Sequence, residues 1–409
     1  RTPLDGIKVL DLSRVLAGPW CAMTLADLGA EVWKVESPKG GDETRKWAPP
    51  SVGGISTYYL SVNRNKRALA IDMASPRGAE LVRGLVAKAD VVVENFMPRS
   101  LKKLGLDYES LRAINPRVIH CAISGYGRDG PLAERPGYDF VMQAECGLMA
   151  ITGTREGEPL RFGVAITDLV SGMNATQAIL AALYQRTLTG EGQSIDVALH
   201  RSGLQLLANI ASGYLNTGEE PARFGNAHAS IVPYQSFATA DGLLALAVGT
   251  DEQFRRLCRE VLERPDLAEA PAYATNRQRA ENRPALVAEL AGLFARQPTV
   301  HWLARLAAAG VPAGKVRKVS EAFLEEPELS AGMLAELPHP ELGRVKVVRS
   351  PLRFSGSRLA EPSHPPLLGE HTAEVLGRVL AVAPAEIAAL HAAGVLFDSG
   401  LARPEGGGA

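Results

Sequence analysis

Asp168 is the carboxylate whose setting most invites chemistry. It stands in Gly163-Val164-Ala165-Ile166-Thr167-Asp168-Leu169, where a strand-like run meets the start of a helix. Aspartate is a favoured N-cap, and spacing alone assigns it that structural role. The position also has a chemical reading: a helix N-terminus favours negative charge, so a carboxylate or a developing oxyanion is stabilised there. Tyr138-Asp139 follow the turn Arg135-Pro136-Gly137, which places a phenol where it can orient a substrate oxygen, although packed tyrosines with a bonded hydroxyl are the commoner case. A scatter of basic residues (Arg14, Lys34, Arg45, Lys46, Arg64, Lys66, Arg67, Arg99, Lys102 and Lys103) falls near expected strand ends. It suits a polyphosphate ligand by charge and hydrogen bonding, whereas taken singly most such residues belong to a solvated face. The small-residue loop 225–234, with His228 and Ser230, lies at an expected domain boundary, where ligand clefts form; a lone histidine there is commonly structural.

Other chemistries lack their residues. No HExxH, nucleophile elbow, P-loop or kinase signature occurs. The eight histidines have no metal-ligand spacing, and Cys21, Cys121, Cys146 and Cys258 form no CxxC pair, so neither a metal site nor a disulfide framework is expected. The loop after the first expected strand, Ser13-Arg14-Val15-Leu16-Ala17-Gly18-Pro19, is not a GxGxxG fingerprint, which removes the usual support for a nicotinamide cofactor.

These residues need a scaffold, and the pattern supplies one. Strand-like text at 7–12, 30–36, 67–72, 90–96 and 118–124 alternates with helical text at 18–28, 75–89, 101–104 and 110–114. Strands separated by helices of this length imply right-handed crossovers and a parallel sheet. Ligands bind at the carboxyl ends of such strands, so the 13–19 loop remains a candidate site. A long helix is expected over 168–186 and another over 201–215. A hairpin is expected over 235–248 around Asp241-Gly242, then helices at 252–262, 283–296 and 300–309. Strand-like text returns at 345–348 and 352–355, and closing helices at 371–380 and 384–392. The fold class is therefore α/β: a Rossmann-like, doubly wound parallel-sheet large domain (1–220, with a C-terminal return at 326–409) and an inserted smaller α+β domain (221–325). The stretch 400–409 reads as a loose tail.

Composition agrees with this class. The 409 residues exceed one small core, and 46% hydrophobic with 22% charged residues is ordinary globular usage. Lys and Arg number 44 against 45 Asp and Glu, a formal net charge of -1, so a globally basic nucleic-acid binder is excluded. No stretch is long and apolar enough to span a bilayer. The expected compartment is reducing and cytoplasmic, although an opening residue of Arg1 leaves room for a removed leader. Residues alone thus lead to a two-domain α/β enzyme with an anionic ligand.

A longer set of motifs goes further. Pro3-Leu4-Asp5-Gly6, Val9-Leu10-Asp11-Leu12, Ala17-Gly18-Pro19, Leu28-Gly29-Ala30-Glu31-Val32, Gly41-Asp42 with Thr44-Arg45, Asn65-Lys66-Arg67, Glu94-Asn95-Phe96, Gly137-Tyr138-Asp139, Asp168-Leu169 and Pro366-Leu367-Leu368-Gly369-Glu370-His371-Thr372 occur in order along the chain. Together they resemble the class III CoA-transferases, the CaiB/BaiF family. The resemblance implies that Asp168 is a nucleophile carrying acyl and CoA groups through mixed-anhydride and aspartyl-CoA thioester intermediates. It implies coenzyme A as substrate, with no tightly bound cofactor, and an interlocked homodimer. It places Val15 and Ala17 beside the adenine or pantetheine, Lys66, Asn95, Phe96 and Lys103 on the nucleotide and phosphates, and Tyr138 and Asp139 near the thioester.

Arg14, Leu16 and Ser37 stand where the formyl-CoA branch has histidine, glutamine and arginine. The text 14–19, 58–66 and 230–235 is most similar to the succinyl-CoA:dicarboxylate branch, whose acids include glutarate, hydroxymethylglutarate, mesaconate and citramalate. Arg14 is then expected to hold the distal carboxylate of the acid, assisted by His228 or Ser230, because a guanidinium grips a carboxylate through two parallel hydrogen bonds. Salt-bridging within the fold, or a CoA phosphate, is the competing use of Arg14. Two rival functions share these features: an α-methylacyl-CoA racemase, whose proton shuttle needs a histidine where Tyr138 stands, and a non-catalytic CoA-binding protein, which has no need of Asp168.

Overall fold

The computed structural model describes residues 1–325, 327, 328 and 330–401; the tail expected over 400–409 lies outside them from residue 402 on. The chain divides into two compact units. The first comprises Arg1–Leu148, Arg161–Ser212 and Ala331–Ala409, the second Met149–Leu160 and Gly213–Ser330. Segment 149–160 thus belongs with the second unit, whereas the pattern had placed it in the first domain.

The first unit is built on a seven-stranded sheet. Its strands are β1 (Lys8–Asp11), β2 (Glu31–Glu36), β3 (Lys66–Ile71), β4 (Val91–Glu94), β5 (Ile119–Ser124), β6 (Ser194–Ala198) and β7 (Leu396–Phe397), in the order β7-β3-β2-β1-β4-β5-β6. All pairings are parallel except β7 on β3. The order 3-2-1-4-5-6 is that of a doubly wound sheet, whose direction of winding reverses between β1 and β4. The inner strands are buried on both sides because helices cover both faces of the sheet. Helix α1 (Ala17–Asp27) follows β1, and α2 (Pro76–Val86) follows β3. The Ser75 hydroxyl caps α2, accepting from the Gly78 amide at 3.0 Å with Pro76 at the first helical position. Helices α3 (Asp139–Glu145) and α4 (Ile166–Thr189) complete the face that carries α1.

The pattern misses some elements. Residues 163–165 are not a strand but an irregular approach to α4, and 352–355 form no strand. Strand β6 went unread because Ser194 and Asp196 interrupt its apolar run, and β7 because two residues carry no period. The second unit has a three-stranded antiparallel sheet, Tyr234–Ala238, Leu243–Ala247 and Ala313–Lys315, with its own core around Phe237, Phe254, Leu286 and Phe294. Its hairpin turns at Asp241-Gly242 as the sequence indicated.

Several expected surface cations are instead fold members. The Lys66 ammonium is buried and donates to Asp11 Oδ2, the Pro19 carbonyl and Asn63 Oδ1, each at 2.9 Å. Lys34 is buried against Asp42 Oδ2 (3.0 Å) and the Ser13 carbonyl (2.9 Å). Arg45 pairs with Glu36 (2.7 Å) and Arg64 with Asp27. The expected role of Lys66 on CoA phosphate is therefore corrected: all its donors are used inside the protein. Burial pulls the ammonium down to about 8, against the pull of Asp11.

Replacing Lys66 with Met removes the cation nearest a buried carboxylate. Lys66→Met should cost about 3–5 kcal/mol of stability, read as a lowered thermal unfolding midpoint. A surface phosphate contact would instead leave the midpoint in place and weaken CoA binding alone.

Candidate active site

The loops at the carboxyl ends of β1, β4 and β5 enclose a pocket of about 190 Å³ beside the switch point. Arg14 to Ala17, Asn95 to Pro98 and Ile123 to Gly125 form its walls; Tyr138, Asp168 and Glu43 complete it. A larger groove of about 830 Å³ lies between Trp20, Leu60, Met173 and the 344–352 segment, but the first pocket is the one that contains Asp168.

The loop after β1 is held from below. Ser13 turns back onto Asp11 Oδ1 through both its amide and its hydroxyl. Gly18 must be glycine, because a Cβ there would lie 2.2 Å from the Ser13 Cβ. Val15 takes φ +72°, a left-handed conformation uncommon for any side chain and strained for a β-branched one. Its amide points at the Asp42 carboxylate, 3.3 Å from each oxygen. Burial would raise the Asp42 carboxyl, but Lys34 and the Thr44 amide outweigh it and hold it at about 2.

Asn95 has a different task from the one expected. Its amide clamps the Arg14 backbone, accepting from Arg14 N at 3.0 Å and donating to Arg14 O at 2.7 Å. Phe96 lines the pocket and lies under the Arg14 guanidinium, 5.6 Å from ring centroid to Cζ. Arg128 braces this loop by donating to Glu94 Oε1 (2.5 Å) and the Phe96 carbonyl (2.6 Å). Lys103 is exposed at the end of the helix Pro98–Lys103, outside the pocket lining. Val15, Ala17 and Tyr138 line the pocket, with Tyr138 59% exposed.

Asp168 is not the N-cap of its helix. Ala165 holds that position without a side-chain cap, and Asp168 is the third residue of the 24-residue α4. The cap comes from Asp139 on α3, whose Oδ1 accepts from the Thr167 amide (2.8 Å) and hydroxyl (2.7 Å) while Oδ2 accepts from Gln143 (2.7 Å). Asp139 is thus buried beside the pocket and outside its lining. With the cap supplied from elsewhere, the Asp168 carboxylate accepts no hydrogen bond from the described residues. Burial, and then the neighbouring Asp139 charge, push it up to about 7.

Tyr58 is a residue that sequence reasoning missed. Its phenol is pushed up to about 12 by burial and by the carboxylates of Asp168, Asp139 and Asp42; the 58–66 text marks a resemblance without singling this tyrosine out. Glu43 was missed as well, though it lines the pocket and pairs with Arg14 at 2.9 Å. His228 and Ser230 lie on the second unit. There His228 Nδ1 accepts from the Ser230 (3.0 Å) and Ile231 (3.1 Å) amides, and Asn276 donates to the Ser230 carbonyl at 2.8 Å. Among the described residues no histidine lines the Asp168 pocket, so the two-base shuttle of a racemase lacks its imidazole.

The switch point of this doubly wound sheet thus carries a buried carboxylate with no hydrogen-bond donor among the described residues, and the chain belongs to CoA-transferase family III, whose model matches residues 4–372. Among its relatives, human "Succinyl-CoA:glutarate CoA-transferase" is 45% identical over 394 residues, covering 96% of this chain and 90% of that protein. "Succinyl-CoA:mesaconate CoA-transferase" of Haloarcula hispanica is 38% identical, covering 91% and 95%. The crystal structure of a CAIB/BAIF family protein from Brucella suis superposes with a TM-score of 0.84 at 45% identity, covering 92% of this chain and 99% of that one. The protein is a class III CoA-transferase.

The raised carboxyl of Asp168 has a stability signature. In the unfolded chain it ionises near 3.8, in the fold near 7. Between those values the folded state holds the extra proton, so this group costs stability as pH rises from about 4 to 7, and the cost is constant above. Asp168→Asn should therefore match wild type near pH 4 and exceed it above pH 7, by up to ~4 kcal/mol at ~1.4 kcal/mol per pH unit. Unfolding curves at pH 4, 6 and 8 measure this, and a pH-independent difference would show that Asp168 ionises normally.

Proposed function

We propose that this enzyme moves coenzyme A from succinyl-CoA to a dicarboxylic acid, with glutarate the first acid to test, and that Asp168 carries the groups. The observation that carries the reading is the Asp168 carboxylate itself: buried, without a donor among the described residues, on a pocket wall, in the first turn of a long helix capped by another residue. Near neutral pH a substantial fraction is ionised, and its raised basicity makes that fraction the stronger nucleophile.

The carboxylate attacks the succinyl thioester carbonyl and expels CoA thiolate, leaving a succinyl–aspartyl anhydride. The thiolate attacks the aspartyl carbonyl, releases succinate and forms an aspartyl-CoA thioester. The acceptor carboxylate then attacks that carbonyl, expels the thiolate and forms a second anhydride. Thiolate attack on the acceptor carbonyl yields the new acyl-CoA and restores Asp168. Each anhydride is activated toward thiolate, so the thioester's free energy is retained provided water is kept out.

Arg14 holds the distal carboxylate of the acid. Val15, Ala17, Phe96, Tyr138 and Lys103 lie along the CoA arm, Asn95 holds the Arg14 backbone, and Asp139 positions Asp168. The two compact units are read as the large domain and an inserted small domain, in an interlocked cytoplasmic homodimer. The names of the relatives support the donor and acceptor classes.

Asp168→Ala should abolish transfer while CoA binding survives. Incubating wild type with succinyl-CoA, trapping with hydroxylamine and mapping peptides by mass should mark Asp168. Substantial turnover in the alanine variant would remove the covalent role. Separately, Arg14→Lys should raise the KM for glutarate, at a loss of about 1.5–3 kcal/mol for the charged hydrogen bonds, and leave CoA affinity unchanged. Equal losses with monocarboxylates of the same length would reassign Arg14.

A further inference from the structure

The Arg14 guanidinium holds a carboxylate of the chain itself. Its Nη1 lies 2.9 Å from Glu43 Oε1, and both side chains line the pocket that contains Asp168. Among the described residues Glu43 has no other side-chain partner. The base of Arg14 is fixed: the Asn95 amide clamps its backbone on both sides, and Asp42 holds the next residue through the Val15 amide. The tip, over the Phe96 ring, is solvent-accessible, with both members of the pair close to half exposed (47% and 46%). A fixed stem with an accessible head lets one carboxylate replace another without rebuilding the loop.

We propose that Glu43 is a built-in stand-in for the acceptor's distal carboxylate and a specificity-determining residue. This deepens the reading of Arg14 given above and rests on it. A dicarboxylic acid displaces Glu43 from Arg14, exchanging one ion pair for another. A monocarboxylate of the same length has nothing to exchange, so it leaves the pair closed and meets Glu43 at its apolar end. Glu43 thus keeps the cation neutralised between turnovers and sets the KM that a dicarboxylate must overcome. An exposed pair is worth less than about a factor of five in an equilibrium, so the tax is small and readable.

The test is a double-mutant cycle at fixed succinyl-CoA. KM, or the competitive inhibition constant for an acid that is not turned over, is measured for glutarate and pentanoate in wild type, Glu43→Gln, Arg14→Gln and the double variant. Glu43→Gln should lower the glutarate value two- to five-fold, leave pentanoate unchanged, and have no effect once Arg14 is glutamine. An equal change for both acids, an effect that persists without Arg14, or an unchanged or raised glutarate value would overturn the role of Glu43. If Arg14→Gln leaves the glutarate-to-pentanoate ratio at its wild-type value, the Arg14 reading itself fails, and the two failures are told apart by which single variant is silent.

Discussion

Two lysine ammonium groups, Lys34 and Lys66, sit without exposed surface beneath the loop that follows β1, each facing a buried aspartate. Charges removed from water are tolerated only when paired and fully hydrogen-bonded, and here every bond lands on a part of the site's foundation. Lys66 ties the end of β1 to the first turn of α1 through Pro19. Lys34 ties the Ser13 carbonyl to Asp42, and Asp42 in turn holds Val15 and Thr44. The pocket wall is therefore an extension of the core. A left-handed valine persists at its rim because the network beneath over-determines it.

The same division of labour governs the carboxylates. Five buried acids of the first unit, Asp11, Asp27, Glu36, Asp42 and Glu94, each face a cation. Asp139 spends its oxygens on the start of α4. Asp168 alone among these neighbours is buried with neither cation nor donor among the described residues, and its proton affinity records that isolation. Fully paired acids make a rigid scaffold, and one unpaired acid makes a reactive group, so the contrast in partnering is what separates structure from chemistry in this unit.

Much of this was legible in the residues. The strand–helix alternation gave the parallel sheet, because that signal is local. Asp168 was legible as an important acid, yet its reason was misread: composition cannot tell that the cap it was assigned comes from Asp139, 29 residues upstream and on another helix. The basic scatter was misread for a similar cause. A lysine at a strand end looks the same whether it meets solvent or an aspartate brought in from 55 residues away, as Lys66 meets Asp11. Asn95 carried a motif but not its task, since an amide that grips a backbone leaves no periodic trace. Glu43 and Tyr58 were silent because their importance lies in what faces them.

The two-residue strand β7 has a consequence for how the chain is made. Leu396 and Phe397 pair with Ile71 and Ala70 and so cover the outer edge of β3. A parallel sheet with an open edge presents unpaired amides and carbonyls to any other extended chain. During synthesis, β3 is in place more than 300 residues before its cover arrives. In that interval the growing sheet carries a sticky margin, closed when His371 and Thr372 bond the backbone of Ala68 and Ala70 and β7 pairs alongside. Quality control on the ribosome, rather than the finished fold, is then where this sheet is most exposed to a wrong partner.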